Sequence, residues 1–147
     1  ENNAYYKKCQ QIVLANDLTN DVHFLGVRKD VYELMSKAKM LVVPSKFEGF
    51  GFITVEAMLN GCIVIGRDTA GTKEQFDRGV ECTGAEIALR YRTKDELLTA
   101  MEYVMNNNLK DMQNRAQEVV VKYYSIQTHV ANVLAFYNDI LLKNKTK

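Results

Sequence analysis

Short apolar runs alternate along this chain with segments that carry apolar residues at helical spacing. Residues 22–26, 40–45, 62–67 and 86–91 read VHFLG, MLVVPS, CIVIGR and EIALRY. Short apolar runs of this kind are typical of β-strands, and continuous ones are typical of strands buried on both faces of a parallel sheet. We therefore predict four strands.

Helical patterns lie before, between and after these runs. Asp30 with Glu33, and Thr93 with Glu96, form capping-box patterns that open helices. Gly61 is expected to close a helix as the residue just beyond its end. The predicted helices cover about 3–16, 30–39, 52–60, a short segment through 74–76, 93–106, 109–123 and 125–142.

The alternation of strands and helices predicts an α/β fold with a doubly wound parallel sheet and right-handed crossovers. A length of 147 residues is enough for one domain, so we expect a single domain over 1–147. The last helix carries an apolar stripe that is expected to lie in a core or an interface. Its members are Val130, Val133, Leu134, Phe136 and Tyr137.

Composition restricts the class of protein. Apolar residues make up 47%, charged residues 25%, and the net charge is +1, so no nucleic-acid partner is expected. No run approaches the roughly 18 apolar residues of a spanning helix, and no signal peptide is visible. The three cysteines form no CxxC pair, which favours reduced thiols in the cytoplasm, with Cys62 as a small buried hydrophobe. The chain does not begin with Met, which suggests an origin in a longer protein.

A glycine-rich loop between a strand and a helix is the first candidate for chemistry. Gly49 and Gly51 allow backbone conformations and close approaches that a Cβ would block. In an open α/β sheet, ligands bind beyond the carboxyl ends of the strands. The first-turn amides of Phe52, Ile53 and Thr54 are expected to be free donors for a phosphate group.

Two carboxylates, Glu48 and Glu56, lie eight residues apart around this turn. A carboxylate close to a phosphate is repelled, so Glu56 needs a neutral partner rich in donors, such as the vicinal hydroxyls of a ribose. Glu48 could accept hydroxyls of a sugar that lies beyond the phosphates. The alternative, which the spacing leaves open, is that the loop is only solvated.

A dinucleotide-binding site is a further alternative. The residues from Gly49 to Thr54 form an imperfect GxGxxG, and Asp68 follows Gly51 by 17 residues, near the spacing of a ribose-binding acid. However, PSKFE stands between the apolar run MLVV and Gly49, whereas the first glycine of the fingerprint should follow the strand directly, and Thr54 replaces the third glycine. We rank this alternative lower.

Residues 44–76, PSKFEGFGFITVEAMLNGCIVIGRDTAGTKEQF, resemble the C-terminal signature of retaining glycosyltransferases of family 4. VHFLG and the closing FYNDILL also match. These enzymes have the GT-B fold of two facing Rossmann-like domains. The resemblance implies a three-layer, Rossmann-like C-terminal half of a GT-B fold that binds a nucleotide-sugar donor.

The resemblance assigns roles to individual residues. Glu48 would be the catalytic residue, contacting donor-sugar hydroxyls, and Gly49, Phe50 and Gly51 would line the sugar site. Glu56 would hold the ribose, in agreement with the electrostatic argument. The remaining nucleotide-binding residues implied are Phe52 and Ile53 at the diphosphate, and Gly26, Val27 and Arg28 beside the base.

No metal or other cofactor is expected, because family members neutralise the leaving diphosphate with protein groups. The chain has no Asp-x-Asp motif, and His23 and His129 are expected to be structural. Cys62–Ile63 and Gly71–Thr72 depart from the family pattern, so close backbone approach near residue 72 is in doubt.

The resemblance also implies what lies outside the chain. The family's Arg/Lys pair and its N-terminal acceptor domain would precede residue 1, so we expect no transferase activity from this chain alone. The full-length enzyme would transfer a hexose-type sugar from UDP or GDP to a glycan or lipid-linked acceptor in polysaccharide biosynthesis. It would be cytoplasmic, with scope for peripheral membrane association. A non-catalytic nucleotide-binding module and a dinucleotide-dependent oxidoreductase are the alternatives.

Overall fold

The computed structural model describes residues 3–145, and the chain divides into two units, Glu1–Asp30 and Val31–Lys147. In the first unit, helix α1 (Ala4–Ala15) begins after Asn3, whose side chain accepts a hydrogen bond from the Tyr5 amide. The Tyr6 ring packs edge-on against Phe24, with 5.1 Å between the ring centroids.

The predicted strand at 22–26 is wrong. Residues 22–26 form no strand, and no described segment pairs with them. A strand exists only where its amides and carbonyls bond to a neighbouring strand. The apolar pattern alone therefore does not produce a strand at this place.

The other three predicted strands are present in the second unit as β1 (Met40–Val43), β2 (Ile63–Arg67) and β3 (Leu89–Tyr91). They form a parallel sheet in the order β1-β2-β3. The helices around it are α2 (Val31–Lys37), α3 (Phe52–Leu59), α4 (Ala70–Thr83), α5 (Lys94–Asn106), α6 (Lys110–Tyr123) and α7 (Ile126–Lys145).

Apolar side chains cover both faces of the sheet, because successive residues of a strand point to opposite sides. Val64 packs with buried residues of α3, α4 and α6 on one face. Ile63 and Ile65 pack with Ala100 and Val104 of α5 on the other face. The prediction of a three-layer α/β fold with a parallel sheet is therefore confirmed.

Local signals in the sequence account for several helix ends. Thr93 and Glu96 form the predicted capping box at the start of α5. Gly61 follows α3 in a left-handed conformation, with φ of +75°. In contrast, α4 runs unbroken to Thr83, well beyond the short helix that the sequence pattern predicts.

The described side chains of α7 are exposed from His129 onward, so the predicted stripe on this helix is not part of the core. Within residues 3–145, no helix is both long and apolar enough to cross a membrane. Cys62 is buried, and burial raises the pKa of its thiol to about 11, as suits a small core residue.

A polar network joins the carboxyl ends of β2 and β3 to α4. The Asp68 carboxylate, only 6% exposed, accepts hydrogen bonds from Arg92 at 2.5 and 3.0 Å and from Arg90 at 3.2 Å. Arg90 also donates to Asp77 of α4 at 2.6 Å and stacks over the Phe76 ring. These contacts hold α4 against the end of the sheet.

Close packing of α4 on β2 requires a glycine at position 66. A Cβ on Gly66 would lie 2.5 Å from Thr72 Cγ2 and 2.6 Å from Phe76 Cζ. We expect Gly66→Ala to lower the free energy of unfolding by about 1–3 kcal/mol through overpacking. Urea denaturation followed by circular dichroism measures this change.

Gly49→Ala is the matched control, because a Cβ at this position would meet no atom within 4 Å outside the adjoining residues. Its free energy of unfolding should stay within about 0.5 kcal/mol of the wild type. Equal losses in the two variants would contradict the packing argument.

Asp68→Asn should destabilise the fold by about 1–2 kcal/mol at pH 7, because it weakens the charged hydrogen bonds that the largely buried Asp68 carboxylate accepts from two arginines. Arg92, and then Arg90, lower the pKa of Asp68 by hydrogen bonding. Its contribution is therefore complete above the ordinary aspartate pKa of about 3.9 and is lost as the pH falls below it. Denaturation at several pH values should show the variant approaching the wild type in acid. Asp21→Asn, at an exposed site, is the control, and a pH-independent difference for Asp68→Asn would refute the assignment.

Candidate functional site

The glycine-rich loop lies at the carboxyl edge of the sheet. It connects Val43, the last residue of β1, to Phe52, the first residue of α3. Val43 is in register with Gly66 of the neighbouring strand. The loop therefore lies beside the turn at Asp68 that leads into α4, where open α/β sheets bind their ligands.

Gly51 turns the chain from the loop into α3. It adopts a left-handed conformation, with φ of +80°, and as a glycine it supplies no side-chain cap to the helix. The amides of Phe52 and Ile53 have no hydrogen-bond partner among the described residues. The Thr54 amide, however, donates to the Gly51 carbonyl at 3.0 Å, so the prediction of a third free donor is wrong.

Glu48 lies on the loop just before the two glycines. Its side chain is half-buried and makes no hydrogen bond or ion pair within the described part of the chain. A half-buried carboxylate without a partner can accept hydrogen bonds from a ligand through both oxygens.

Glu56 lies one turn inside α3 and is also half-buried. Its Oε1 accepts a hydrogen bond of 3.0 Å from the hydroxyl of Tyr32 on α2, and this bond raises the pKa of Tyr32. The contact orients the Glu56 carboxylate while Oε2 keeps its capacity to accept. Sequence reasoning missed Tyr32, because nothing in its local pattern points to a residue 24 positions away.

The first turn of α4 packs against the backbone of the glycine-rich loop. The Gly71 amide donates to the Glu48 carbonyl at 3.0 Å. A Cβ on Gly71 would overlap the Gly49 carbonyl oxygen, so only glycine fits this contact. Close backbone approach is therefore preserved at Gly71, and Thr72 packs instead against Gly66.

Aromatic side chains surround the start of α3. The Phe50 ring packs edge-on against Phe52 at 4.9 Å and against Tyr124 at 5.5 Å. A groove of about 480 Å³ runs beside them. It is lined by Phe50, Phe52, Tyr123, Tyr124, Ser125, Ile126 and His129. The Phe50 side chain thus packs toward the end of α6, and only its backbone is left for the loop site.

Gly26, Val27 and Arg28 lie in the first unit. Gly26 has φ of +63°, Val27 is fully exposed, and Arg28 pairs with Asp30 at 2.5 and 2.7 Å. Their predicted contact with a nucleotide base stays a prediction.

The Asp68 carboxylate is not accessible to a ribose, as a dinucleotide-binding site would require. Both of its carboxylate oxygens accept hydrogen bonds from arginines, and its side chain is almost fully buried. An acid that binds a ribose needs an accessible carboxylate.

Among residues 3–145, no group of three or more His, Cys, Asp or Glu side chains is arranged to hold a metal ion.

Three known proteins are similar to this chain in sequence. Over 136 residues, the chain is 26% identical to the N-acetyl-alpha-D-glucosaminyl L-malate synthase of Bacillus anthracis, covering 92% of this chain and 35% of that protein. Over 137 residues, it is 29% identical to an uncharacterized glycosyltransferase of Methanocaldococcus jannaschii, covering 92% and 38%. A third match, 28% identical over 85 residues, is the lipopolysaccharide core biosynthesis mannosyltransferase of Rhizobium meliloti, with 58% of this chain and 24% of that protein covered. The chain thus spans little more than a third of the length of the first two relatives.

The fold resembles that of sucrose-phosphate synthase from Thermosynechococcus elongatus, with a TM-score of 0.78 and 21% identity. The match covers 97% of this chain and 36% of that protein. It confirms the predicted fold, the Rossmann-like C-terminal half of a GT-B structure.

Residues 2–119, which include the whole glycine-rich loop and both carboxylates around it, match the family described as glycosyl transferases group 1. This match agrees with the resemblance of residues 44–76 and gives no support to the oxidoreductase alternative. The chain belongs to the glycosyl transferases group 1 family.

Proposed function

We propose that this chain is the donor-binding part of a retaining, metal-independent glycosyltransferase that uses a nucleoside-diphosphate sugar. The observation that carries the proposal is the placement of two half-buried carboxylates on either side of two free amides. Glu48 precedes the amides of Phe52 and Ile53, and Glu56 lies one turn beyond them. This order matches the order of sugar, diphosphate and ribose in such a donor.

The diphosphate would bind at the start of α3. Two unpaired amides and the positive end of the helix dipole favour an anion there. The same groups would stabilise the charge that develops on the leaving diphosphate as the sugar is transferred.

The two carboxylates would divide the neutral ends of the donor between them. Glu56, oriented by Tyr32, would accept the vicinal ribose hydroxyls. Glu48 would accept hydroxyls of the sugar and fix the position of its anomeric carbon relative to the acceptor. Neither carboxylate would then lie against the phosphates, which avoids repulsion between like charges.

The sugar is proposed to be of the hexose type. Two relatives are named as a glucosaminyl malate synthase and a lipopolysaccharide core mannosyltransferase, which supports a hexose or its derivative. A glycan or a lipid-linked sugar is the proposed acceptor, in the cytoplasm or at its membrane surface. Because the chain spans little more than a third of its first two relatives, we propose that transfer requires the complete protein.

Nucleoside-diphosphate binding tests the role of Glu56. Calorimetric titration of UDP and GDP into this chain should give binding that Glu56→Ala weakens at least about tenfold, because charged hydrogen bonds contribute about 1.5–3 kcal/mol. Glu102→Ala, at an exposed site on α5, should leave the affinity unchanged.

Equal affinity of the Glu56→Ala variant and the wild type would contradict the ribose assignment. Binding of NAD in preference to both diphosphates would overturn the proposed function. Binding without transfer by the complete protein would instead support a non-catalytic nucleotide-binding module.

Transfer by the complete protein tests Glu48. Glu48→Ala should lower the turnover number by about 100-fold or more, because the sugar loses a contact that positions the reacting carbon. The affinity for UDP or GDP should stay within about threefold of the wild type, since Glu48 does not contact the nucleotide. Radiolabelled sugar transfer and calorimetry measure the two quantities.

Unchanged turnover in Glu48→Ala would refute its role, and Glu102→Ala again serves as the control. The anomeric configuration of the product, measured by NMR, tests retention separately. An inverted anomeric centre would contradict the proposed stereochemistry.

A further inference from the structure

Gln75 is a buried glutamine whose side chain reaches the glycine-rich loop from α4. It is 2% exposed. Its Nε2 donates hydrogen bonds to the carbonyl oxygen of Phe50 and, at 3.4 Å, to that of Gly51. Both partners are acceptors, so the NH₂ group of the amide must face them. The orientation of this side chain follows from its partners.

Three hydrogen bonds from the first two turns of α4 hold residues 48–51. The Gly71 amide donates to the Glu48 carbonyl, and the Gln75 side chain supplies the other two. Gly49 and Gly51 by themselves allow many backbone conformations. The tether from α4 selects one of them, in which Gly51 has φ of +80°.

The helix that carries Gln75 is itself firmly placed. Its neighbour Phe76 is fully buried against Gly66 of β2. Arg90 of β3 pairs with Asp77 one position further along. The tether therefore connects the loop to the core of the domain.

The side-chain amide group of Gln75 also carries an energetic cost for the folded state. Its Oε1 is buried and has no hydrogen-bond partner among the described residues, and the same is true of the nearby Thr54 Oγ1. A buried acceptor without a partner is unfavourable, and an apolar side chain of similar size would avoid that cost. The two hydrogen bonds to the loop offset this cost, and an apolar side chain could not make them.

We propose that Gln75 is a positioning residue for the sugar of the donor. By holding the Phe50 and Gly51 carbonyls, it keeps Glu48 at a constant distance from the free amides of α3. The inference rests on the proposed function, because it assumes that Glu48 contacts the sugar. Glu56 is placed by its helix and by Tyr32, and the Gly51 carbonyl is also held by the Thr54 amide at 3.0 Å, which fixes the peptide that carries the Phe52 amide. Nucleotide binding is therefore expected to survive the loss of the tether.

Gln75→Met tests the tether, because methionine has a similar size and no donor. Hydrogen exchange measured by NMR should be at least about tenfold faster in the variant at the amides of Gly71 and Thr54, which donate to the Glu48 and Gly51 carbonyls of the tethered loop. Gln117→Met is the matched control. Gln117 also donates to a backbone carbonyl, that of Leu59 at 3.0 Å, but at the other end of α3. Unchanged exchange in Gln75→Met would overturn the proposal, whatever the protein binds.

Kinetics of the complete transferase test the role in catalysis. Gln75→Met should lower the turnover number by about 10- to 100-fold, the usual effect of misplacing a reacting group. The dissociation constant for UDP or GDP should stay unchanged. A parallel loss of nucleotide affinity would mean a general structural role, and an unchanged turnover number would also overturn the inference. If the wild type binds no nucleoside diphosphate, the proposed function fails. The hydrogen-exchange experiment then still tests whether Gln75 holds the loop.

Gln75→Glu is the second variant, in case Gln75→Met does not fold. A protonated carboxyl group can still donate one hydrogen bond to the loop, whereas an ionised one donates none and repels the carbonyls. The ratio of variant to wild-type turnover should therefore fall as the pH rises through the ionisation of the new carboxyl group. A ratio that does not change with pH would overturn the proposal.

Discussion

The candidate site depends on how closely α4 packs against β2. Gly66 leaves room for the Thr72 and Phe76 side chains, and a single methyl group there would overlap both. This close packing brings the first turns of α4 to the carboxyl edge of the sheet. Gly71 and Gln75 can then reach the loop after β1 and hold its backbone. A contact within the core thus determines the shape of a loop that is rich in glycine.

The two carboxylates of the site are oriented by different kinds of structure. Glu56 lies on a helix, where the helical backbone and the Tyr32 hydroxyl orient its carboxylate. Glu48 lies on a loop, where orientation has to come from another element. A donor made of a ribose, a diphosphate and a sugar needs acceptors at its ends and hydrogen-bond donors in its middle. The order of groups from Glu48 through the α3 amides to Glu56 has this character, and membership of the glycosyl transferases group 1 family agrees with it.

Not every carboxylate at this edge of the sheet belongs to the candidate site. Asp68 is next to the candidate site, yet Arg90 and Arg92 occupy its carboxylate. It therefore serves the attachment of α4 rather than ligand binding. An acid at the end of a strand does not by itself indicate a ribose site, because its partners decide whether it is accessible.

The sequence by itself determined the three strands of the sheet, the capping box of α5, the glycine that ends α3 and the placement of Glu48 and Glu56 around the loop. These features depend on neighbours within a few residues or on the period of apolar side chains. Only the tertiary structure decided that residues 22–26 lack a strand partner, that the Thr54 amide is occupied, and that α4 continues to Thr83. It alone brought Tyr32 to Glu56 and Gln75 to the loop, across 24 and 25 positions of the chain. The physical reason is that these contacts depend on how whole helices pack against the sheet, which no local pattern encodes.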